Sequence, residues 1–135
     1  MQRNNAKEIV DDLTAEFAWR MDHGQAPEAL ELFCEELIFS IAGNALDRDG
    51  LGKQFGARAG ANFDARHIFT NRRIVSCDES IIEATVTTTI HKVEAGDTGP
   101  NTTILCADYV MRLEKENDAW RFKTIMVTPV VAPAA

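Results

Sequence analysis

The stretch TTILCADYVMRLEKENDAWRFKTIMV, residues 102–127, decides the fold of this chain. Every second residue in its first half is apolar, which is the period of a strand with one buried face. These residues are Leu105, Ala107, Tyr109, Met111 and Leu113. The following ENDA, residues 116–119, suits a tight turn, and alternation then resumes. We therefore predict a long hairpin whose last strand carries on one face Trp120, Phe122, Thr124 and Met126.

A second strand is predicted from Ser80 to Glu94, where β-branched residues dominate. Its apolar face carries Ile82, Ala84, Val86 and Ile90, and its polar face carries Glu83, Thr85, Thr87, Thr89 and His91. The polar face either meets solvent, which is the commoner arrangement, or lines a polar cavity that has His91 at its end. A shorter strand is predicted to begin at His67, and residues 95–101 are expected to form a loop.

Helical periodicity dominates the first third of the chain. Between Ala6 and Asp22, an apolar residue recurs at every fourth position, which predicts an amphipathic helix capped near Gly24. These apolar residues are Ile9, Leu13, Phe17 and Met21. Pro27 suits the first turn of a second, shorter helix, and residues 37–43 form an apolar run that predicts a buried strand.

A third helix is predicted from Gly50 to Phe63, although it contains an unusual row of glycines. Gly52, Gly56 and Gly60 recur at helical spacing, and each costs about 1 kcal/mol relative to alanine inside a helix. Two explanations stay open. The favoured one is close packing of this helix on the sheet, and the other is a mobile flap over a pocket.

Three helices followed by a run of strands predict an α+β fold within one domain, residues 1–135. A strongly bent antiparallel sheet covered by helices encloses a conical cavity, which suits a small hydrophobic ligand. One face of the sheet would stay uncovered, and the last strand ends in the apolar VTPVV, residues 127–131. We therefore expect a homodimer or a higher homo-oligomer. The final VAPAA, residues 131–135, is expected to be frayed.

Composition excludes several classes of partner. The 135 residues carry a net charge of −7 with no compensating basic cluster, so nucleic acid is not expected to bind. Three cysteines lack CxxC spacing, and no run is long and apolar enough for a membrane span. The N-terminal segment becomes charged before an apolar signal could form. We expect a cytoplasmic protein without a membrane or metal partner.

The candidate chemistry involves His67 and Asp22. The strand period places His67 on the same side as Phe69 and Asn71, which indicates that the imidazole is at least partly covered. Asp22 ends the first helix, where the helix dipole disfavours a carboxylate unless a donor or a cation faces it. Each residue could be purely structural. Alternatively, they form a dyad in which Asp22 orients His67 for proton abstraction.

Several segments together resemble the SnoaL-like branch of the nuclear-transport-factor-2-like superfamily. They are RMDHG at residues 20–24, ARHIFTN at 65–71, and the closing pattern from Tyr109 to Met126 with its AWRFKTIMV. The resemblance extends over nearly the whole chain and implies a cone-shaped α+β barrel with a central pocket. Within that branch, the sequence is most similar to scytalone dehydratase and hexachlorocyclohexane dehydrochlorinase, which are cofactor-free lyases.

This resemblance implies catalytic roles for Asp22, His67 and His91 and a pocket position for Tyr109. The pocket would be lined by Phe17, Phe33, Phe55, Phe69 and Met111 as well as Tyr109. Thr128 replaces an arginine of the dehydrochlorinase, which argues against halide elimination. Tyr109 stands where scytalone dehydratase has an asparagine.

The function implied is a cofactor-independent lyase of the dehydratase type, or an isomerase, acting on a small hydrophobic or cyclic substrate. His67 would remove a proton, Asp22 would orient His67, and His91 or Tyr109 would bind or protonate the leaving oxygen. Two alternatives belong to other classes. One is a ligand-binding or assembly module without turnover, and the other is the small subunit of an aromatic-ring oxygenase.

Overall fold

The computed structural model describes residues 1–131, so residues 132–135 of the predicted frayed tail lie outside the described residues. Three helices and six strands follow one another along the chain. The helices are α1 (Arg3–Asp22), a 3₁₀ helix (Ala26–Leu32) and α2 (Arg48–Ala59). The strands are β1 (Phe33–Ile41), β2 (Asn44–Leu46), β3 (Asp64–Cys77), β4 (Ile81–Gly96), β5 (Gly99–Glu116) and β6 (Ala119–Pro129). The α+β prediction is confirmed.

All six strands form one curved, unclosed sheet in the order β2-β1-β6-β5-β4-β3. Four neighbouring pairs are antiparallel, but β1 and β6 run parallel. The predicted antiparallel sheet is therefore observed in four of the five strand pairs, and the β1–β6 pair departs from it. A parallel pair requires a long crossover between its strands, and here the whole segment from β2 to β5 separates β1 from β6.

Two tight hairpins build the centre of the sheet. Asn117 and Asp118 have φ angles of 53° and 63°, as a two-residue turn of type I′ requires at both central positions. The predicted ENDA turn is confirmed. The loop predicted at 95–101 is shorter than expected, since β4 continues to Gly96 and β5 begins at Gly99.

The apolar core lies between the helices and the concave face of the sheet. Its largest fully buried side chains include Phe33, Phe122, Leu51, Ile82, Met111, Leu113 and Ile125. A bulge interrupts the β5–β6 register, so that Leu113 opposes Phe122 whereas Arg112 opposes Thr124. Because a bulge shifts the alternation by one residue, the core side of β6 continues with Ile125 and Val127. The prediction that Thr124 and Met126 share the face of Phe122 is wrong.

The first helix ends as the sequence predicts. Gly24 has a φ of +78°, and the backbone N–H of Gln25 donates to the Arg20 carbonyl at 2.9 Å. This is the Schellman arrangement, in which glycine follows the last helical turn. The buried stripe of α1 is rotated relative to the prediction: Val10 and Thr14 are buried, whereas Ile9 and Leu13 are only partly covered.

The glycines of α2 do not mark close packing. A Cβ added at Gly56 would meet no heavy atom within 4 Å, and one at Gly52 would meet only Leu30 Cδ2, at 3.6 Å. At Gly60 the nearest atoms are carbonyl oxygens of the preceding turn. The favoured explanation of the glycine row is therefore wrong, because none of these positions meets another strand or helix at a distance that excludes a methyl group.

No helix within residues 1–131 combines the length and the apolar character that crossing a bilayer requires.

Candidate active site

A cavity of about 310 Å³ lies between α1, α2 and the concave face of the sheet. Most of its wall is apolar or aromatic, with a few polar side chains among them. The polar ones are Gln54, Arg58, His67, Lys92 and Tyr109. A larger and more open depression of about 650 Å³ lies beside the β4–β5 turn but is lined by neither histidine nor tyrosine. We therefore centre the candidate site on the smaller, less open cavity that His67 and Tyr109 line.

Asp22 and His67 meet at the wall of this cavity. Asp22 Oδ1 lies 2.6 Å from Nδ1 of His67, and Asp22 Oδ2 accepts a hydrogen bond from the His67 backbone N–H at 2.7 Å. The side chains are only 3% and 9% exposed, respectively. Both carboxylate oxygens are thus committed to one residue, which fixes the imidazole in position and in orientation.

Local structure explains how two residues 45 positions apart come together. The Gly24 cap ends α1 directly after Asp22. Strand β3, which packs against α1, begins three residues before His67. The cost of a carboxylate at a helix C-terminus is offset by the two hydrogen bonds from His67. In addition, Arg66 Nη1 donates to the terminal Asp22 carbonyl at 3.4 Å.

The hydrogen bond defines the chemistry of the imidazole. An ionised carboxylate can only accept hydrogen bonds, so Nδ1 carries the hydrogen in this pair. In the neutral ring, Nε2 then keeps its lone pair and can accept a proton, while Asp22 stabilises the imidazolium that results. Phe17 packs edge-on at 6.0 Å between ring centroids, which limits rotation of the imidazole.

Tyr109 supplies a neutral donor in the same cavity. Its ring contacts Phe69 edge-on at 5.6 Å, and Phe69 in turn stacks on His67 at 6.4 Å between centroids. Removal from water raises the pKa of Tyr109 to about 12, since burial disfavours the phenolate. The phenol therefore stays protonated near neutral pH and can donate a hydrogen bond to an oxygen of a bound ligand.

A family model for the SnoaL-like domain matches residues 2–125. The chain belongs to the SnoaL-like family. The prediction of that branch of the nuclear-transport-factor-2-like superfamily is confirmed, and the curved sheet with its three helices is the cone-shaped α+β fold of the superfamily.

Solved structures share this SnoaL-like fold over nearly the whole chain. The β subunit of a provisionally assigned aromatic-ring-hydroxylating dioxygenase from Novosphingobium aromaticivorans has a TM-score of 0.78 at 17% identity, covering 98% of this chain and 94% of its own. A provisionally assigned scytalone dehydratase from the same organism has a TM-score of 0.77 at 20% identity, covering 96% and 87%.

A third structure, Kfla4162 from Kribbella flavida, has a TM-score of 0.80 at 15% identity and covers 96% of this chain and 94% of its own. At such identities the likeness shows the fold alone. No curated protein matches the SnoaL-like chain significantly in sequence.

His91 does not join the dyad. Directly across the β3–β4 ladder, His67 faces Ile90 and Arg66 faces His91. Residues paired in this way share a face of the sheet, so His91 lies on the outer face, opposite the cavity wall that holds His67. The commoner of the two interpretations of the polar face of β4 is the one observed. We accordingly remove His91 from the candidate site.

The predicted aromatic lining is only partly observed. Phe17 and Phe55 line the cavity, as does Tyr109. Phe33 and Met111 are buried in the core and do not line it. Phe69 is half-buried between the rings of His67 and Tyr109 rather than lining the cavity itself. Phe33, Met111 and Phe69 are therefore not direct contacts for a ligand in this cavity.

Four polar residues in or near the cavity escaped the sequence prediction. Lys92 and Thr88 continue the inward-facing alternation of Ile90, and Gln54 and Arg58 belong to α2. The alternation could have placed the first two on the inner face. Thr88 is completely buried, and its hydroxyl oxygen has no hydrogen-bond partner among residues 1–131.

Within the described residues, no group of three or more His, Cys, Asp or Glu side chains is arranged to hold a metal ion.

Proposed function

We propose that this SnoaL-like protein is a cofactor-independent lyase of the dehydratase type, or an isomerase, which acts on a small hydrophobic substrate by proton abstraction. The observation that carries this proposal is the 2.6 Å contact between Asp22 Oδ1 and His67 Nδ1 at the wall of an apolar cavity. A buried carboxylate–imidazole pair beside a ligand-sized cavity is an arrangement suited to general base catalysis.

In the lyase reaction, Nε2 of His67 removes a proton from a carbon of the substrate. The electrons of the C–H bond form a C=C bond as the neighbouring C–O bond breaks. The departing oxygen takes a proton from the Tyr109 phenol or from the imidazolium, and water leaves. In the isomerase reaction, the imidazolium returns its proton to a different carbon. Asp22 stabilises the imidazolium in both cases.

The cavity supports a small substrate. Its volume of about 310 Å³ is near the lower end of ligand pockets, which are about 300–1,000 Å³. Apolar side chains from the helices and the strands make up most of the wall, including Phe17, Phe39 and Phe55. A ring system of one or two six-membered rings would fit, with its reacting carbon near His67 and its leaving oxygen near Tyr109.

The test is a screen for turnover in D₂O, followed by NMR. Small hydrophobic β-hydroxy carbonyl and β,γ-unsaturated carbonyl compounds are incubated with the wild type, with His67→Ala and with His91→Ala. The proposal requires that loss of water or movement of the double bond occurs with the wild type and the His91 variant but not with His67→Ala. Equal rates in all three proteins would refute it.

A second candidate function is the small, non-catalytic subunit of an aromatic-ring oxygenase, or a ligand-binding module. The similarity to a dioxygenase β subunit over 98% of this chain favours it, although such likeness concerns the fold. Stable co-purification with a larger iron-containing subunit, undiminished by His67→Ala, would support this second function. Such a result would contradict the lyase or isomerase function, in which His67 is the catalytic base.

The uncovered face of the sheet supports our proposal of a homodimer. Large apolar residues are exposed on this outer face, namely Ile38, Ile68, Ile104, Val110 and Met126. Val110 and Met126 lie opposite each other on the two central strands, β5 and β6. Exposed apolar residues on several strands are typical of a protein-binding surface, and a second copy of the chain would cover them by two-fold symmetry.

We also propose a reducing compartment, the cytoplasm, as the place where the protein works. Cys34, Cys77 and Cys106 are all free thiols, and burial raises the pKa of the Cys34 thiol to about 11. Unpaired cysteines are the usual condition of cytosolic proteins.

A further inference from the structure

Two cations line the mouth of the cavity. Arg58 lies in the last turn of α2, and Lys92 projects from β4. The Arg58 guanidinium carbon and Lys92 Nζ each lie 4.3 Å from the centroid of the Phe63 ring. Two positive charges therefore lie against one aromatic ring, in a chain whose net charge is −7. Positive charge at the opening of a cavity attracts a ligand of negative charge.

The sheet register places this mouth next to the dyad. Lys92 pairs with Ala65 and Ile90 pairs with His67 on the same ladder, and all four line the cavity. Lys92 is thus two residues along β4 from the position facing His67, or about 7 Å at the rise of a strand. A ligand about one ring long can contact the cations and His67 at the same time.

Arg58 has donors to spare. Among residues 1–131, no carboxylate lies within 4.0 Å of its guanidinium. Its one hydrogen bond runs from Nη1 to the Phe63 carbonyl at a long 3.5 Å. Guanidinium has five N–H donors in a planar fork that matches a carboxylate with two parallel hydrogen bonds. Most of this fork is free for a ligand at the mouth.

Lys92 is only weakly engaged by the protein. Its Nζ lies 3.4 Å from Glu94 Oε1, and the two side chains are 32% and 49% exposed. Exposed pairs of this type contribute little to stability, so a ligand anion can compete for the ammonium. Asp22, the buried acid of the cavity, is already committed to His67. The excess positive charge at the mouth therefore remains available.

We propose that the ligand of this cavity is a small hydrophobic carboxylate, whose carboxylate binds Arg58 and Lys92 at the mouth while its apolar body extends toward His67 and Tyr109. The proposal deepens the proposed function, on which it rests for the reaction, by naming the substrate class. Arg58 and Lys92 are binding residues here, and the reacting carbon lies at the other end of the molecule. Phe63 keeps the two cations in place and offers its ring to the body of the ligand.

The test compares two probes of the same shape by isothermal titration calorimetry: 2-naphthoate, which is anionic, and 2-naphthamide, which is neutral. The wild type should bind the carboxylate about tenfold more tightly than the amide. Arg58→Gln and Lys92→Gln should each remove most of this preference and leave amide binding unchanged. Lys53→Gln is the matched control, because it removes one positive charge from an exposed position of α2 and should keep the full preference.

Equal affinities of the two probes for the wild type would overturn the proposal, as would an equal loss of carboxylate binding in Lys53→Gln. His67→Ala separates this inference from the proposed function, since it should retain the carboxylate preference and lose turnover. Carboxylate preference in a protein that turns over neither the neutral screened compounds nor their carboxylate-bearing counterparts supports the binding site and refutes the reaction. Turnover of neutral compounds only, without carboxylate preference, sustains the reaction and refutes the binding site.

Discussion

Asp22 binds His67 twice, through Oδ1 to Nδ1 at 2.6 Å and through Oδ2 to the backbone N–H at 2.7 Å. The double contact ties the end of α1 to β3 and determines which imidazole nitrogen is free. Asp22 therefore has a structural role, which is to hold α1 against β3, and a chemical role, which is to keep the proton on Nδ1 of His67. Replacing the carboxylate with an amide of the same shape tests the chemical role separately.

Asp22→Asn should keep the fold but reduce turnover by about a thousand-fold or more, because an amide can no longer hold Nδ1 in its protonated form. The expected result is a lower kcat with a nearly unchanged affinity for ligand. Long-range ¹H–¹⁵N NMR of the His67 ring checks the cause: hydrogen at Nδ1 in the wild type, and a mixture of tautomers in the variant. A variant with wild-type kcat would contradict the role of Asp22.

Tyr109 is the sole tyrosine of the chain, so its ionisation can be followed by absorbance near 295 nm. Its pKa is raised to about 12 in the folded state and is about 10 in the unfolded state. The unfolded chain then loses this proton first, and the free energy of unfolding falls as pH rises from about 10 to 12. The full decrease should be about 2–3 kcal/mol.

Urea denaturation at pH 9, 10 and 11 measures this dependence, with Tyr109→Phe as the control that should lack it. An absorbance midpoint near pH 10 in the folded protein would show that the phenol is accessible to water rather than buried.

Thr88→Val should raise the free energy of unfolding by about 1 kcal/mol. The Thr88 hydroxyl is fully buried without a partner, and valine has nearly the same shape without the desolvation cost. Thr87→Val, one residue away on the outer face, is the matched control and should change stability little. A destabilised Thr88→Val would mean that the hydroxyl makes a hydrogen bond in solution.

Gly56→Ala should stabilise α2 by up to about 1 kcal/mol, since a methyl group at Gly56 meets no atom within 4 Å. Gly24→Ala should have the opposite effect, because the φ of +78° at Gly24 strains any residue with a Cβ. Urea denaturation of the two variants provides the comparison. A loss of stability in Gly56→Ala would reinstate close packing as the reason for the glycine.

Val110 lies at the centre of the outer face of the sheet and is 41% exposed. If a second copy covers this face, Val110→Glu should convert the dimer to a monomer in sedimentation velocity experiments, because a charge would be buried in the interface. Trp19→Glu, on an exposed side of α1, should leave the dimer intact. A wild-type monomer at high micromolar concentration would contradict the dimer.

Much of the fold could be predicted because the spacing of apolar residues distinguishes helices from strands along most of the sequence. The alternation around Tyr109 and the ENDA turn define the central hairpin, and the Gly24 cap places Asp22 at the end of α1. Asp22 and His67 could be paired before the fold was known, because a carboxylate at a helix C-terminus needs a donor.

The remainder depends on contacts that a period does not encode. Alternation separates the faces of β4 but does not say which one is concave, and so it left His91 undecided. A bulge between Phe122 and Thr124 shifts which residues of β6 point toward the core. No residue type at this position indicates a bulge. Arg58 at the end of α2 and Lys92 on β4 reach the same Phe63 ring only in the folded chain, which neither segment indicates alone.

The central claim is that His67 is the base of an Asp-supported dyad. The most direct test compares the turnover rates of two variants, each of which lacks one histidine. His67→Ala should lose at least about a thousand-fold in kcat, whereas His91→Ala, with its histidine on the outer face of the same sheet, should remain within about twofold of the wild type. Comparable rates for the two variants would contradict the claim and leave His67 as a buried structural residue.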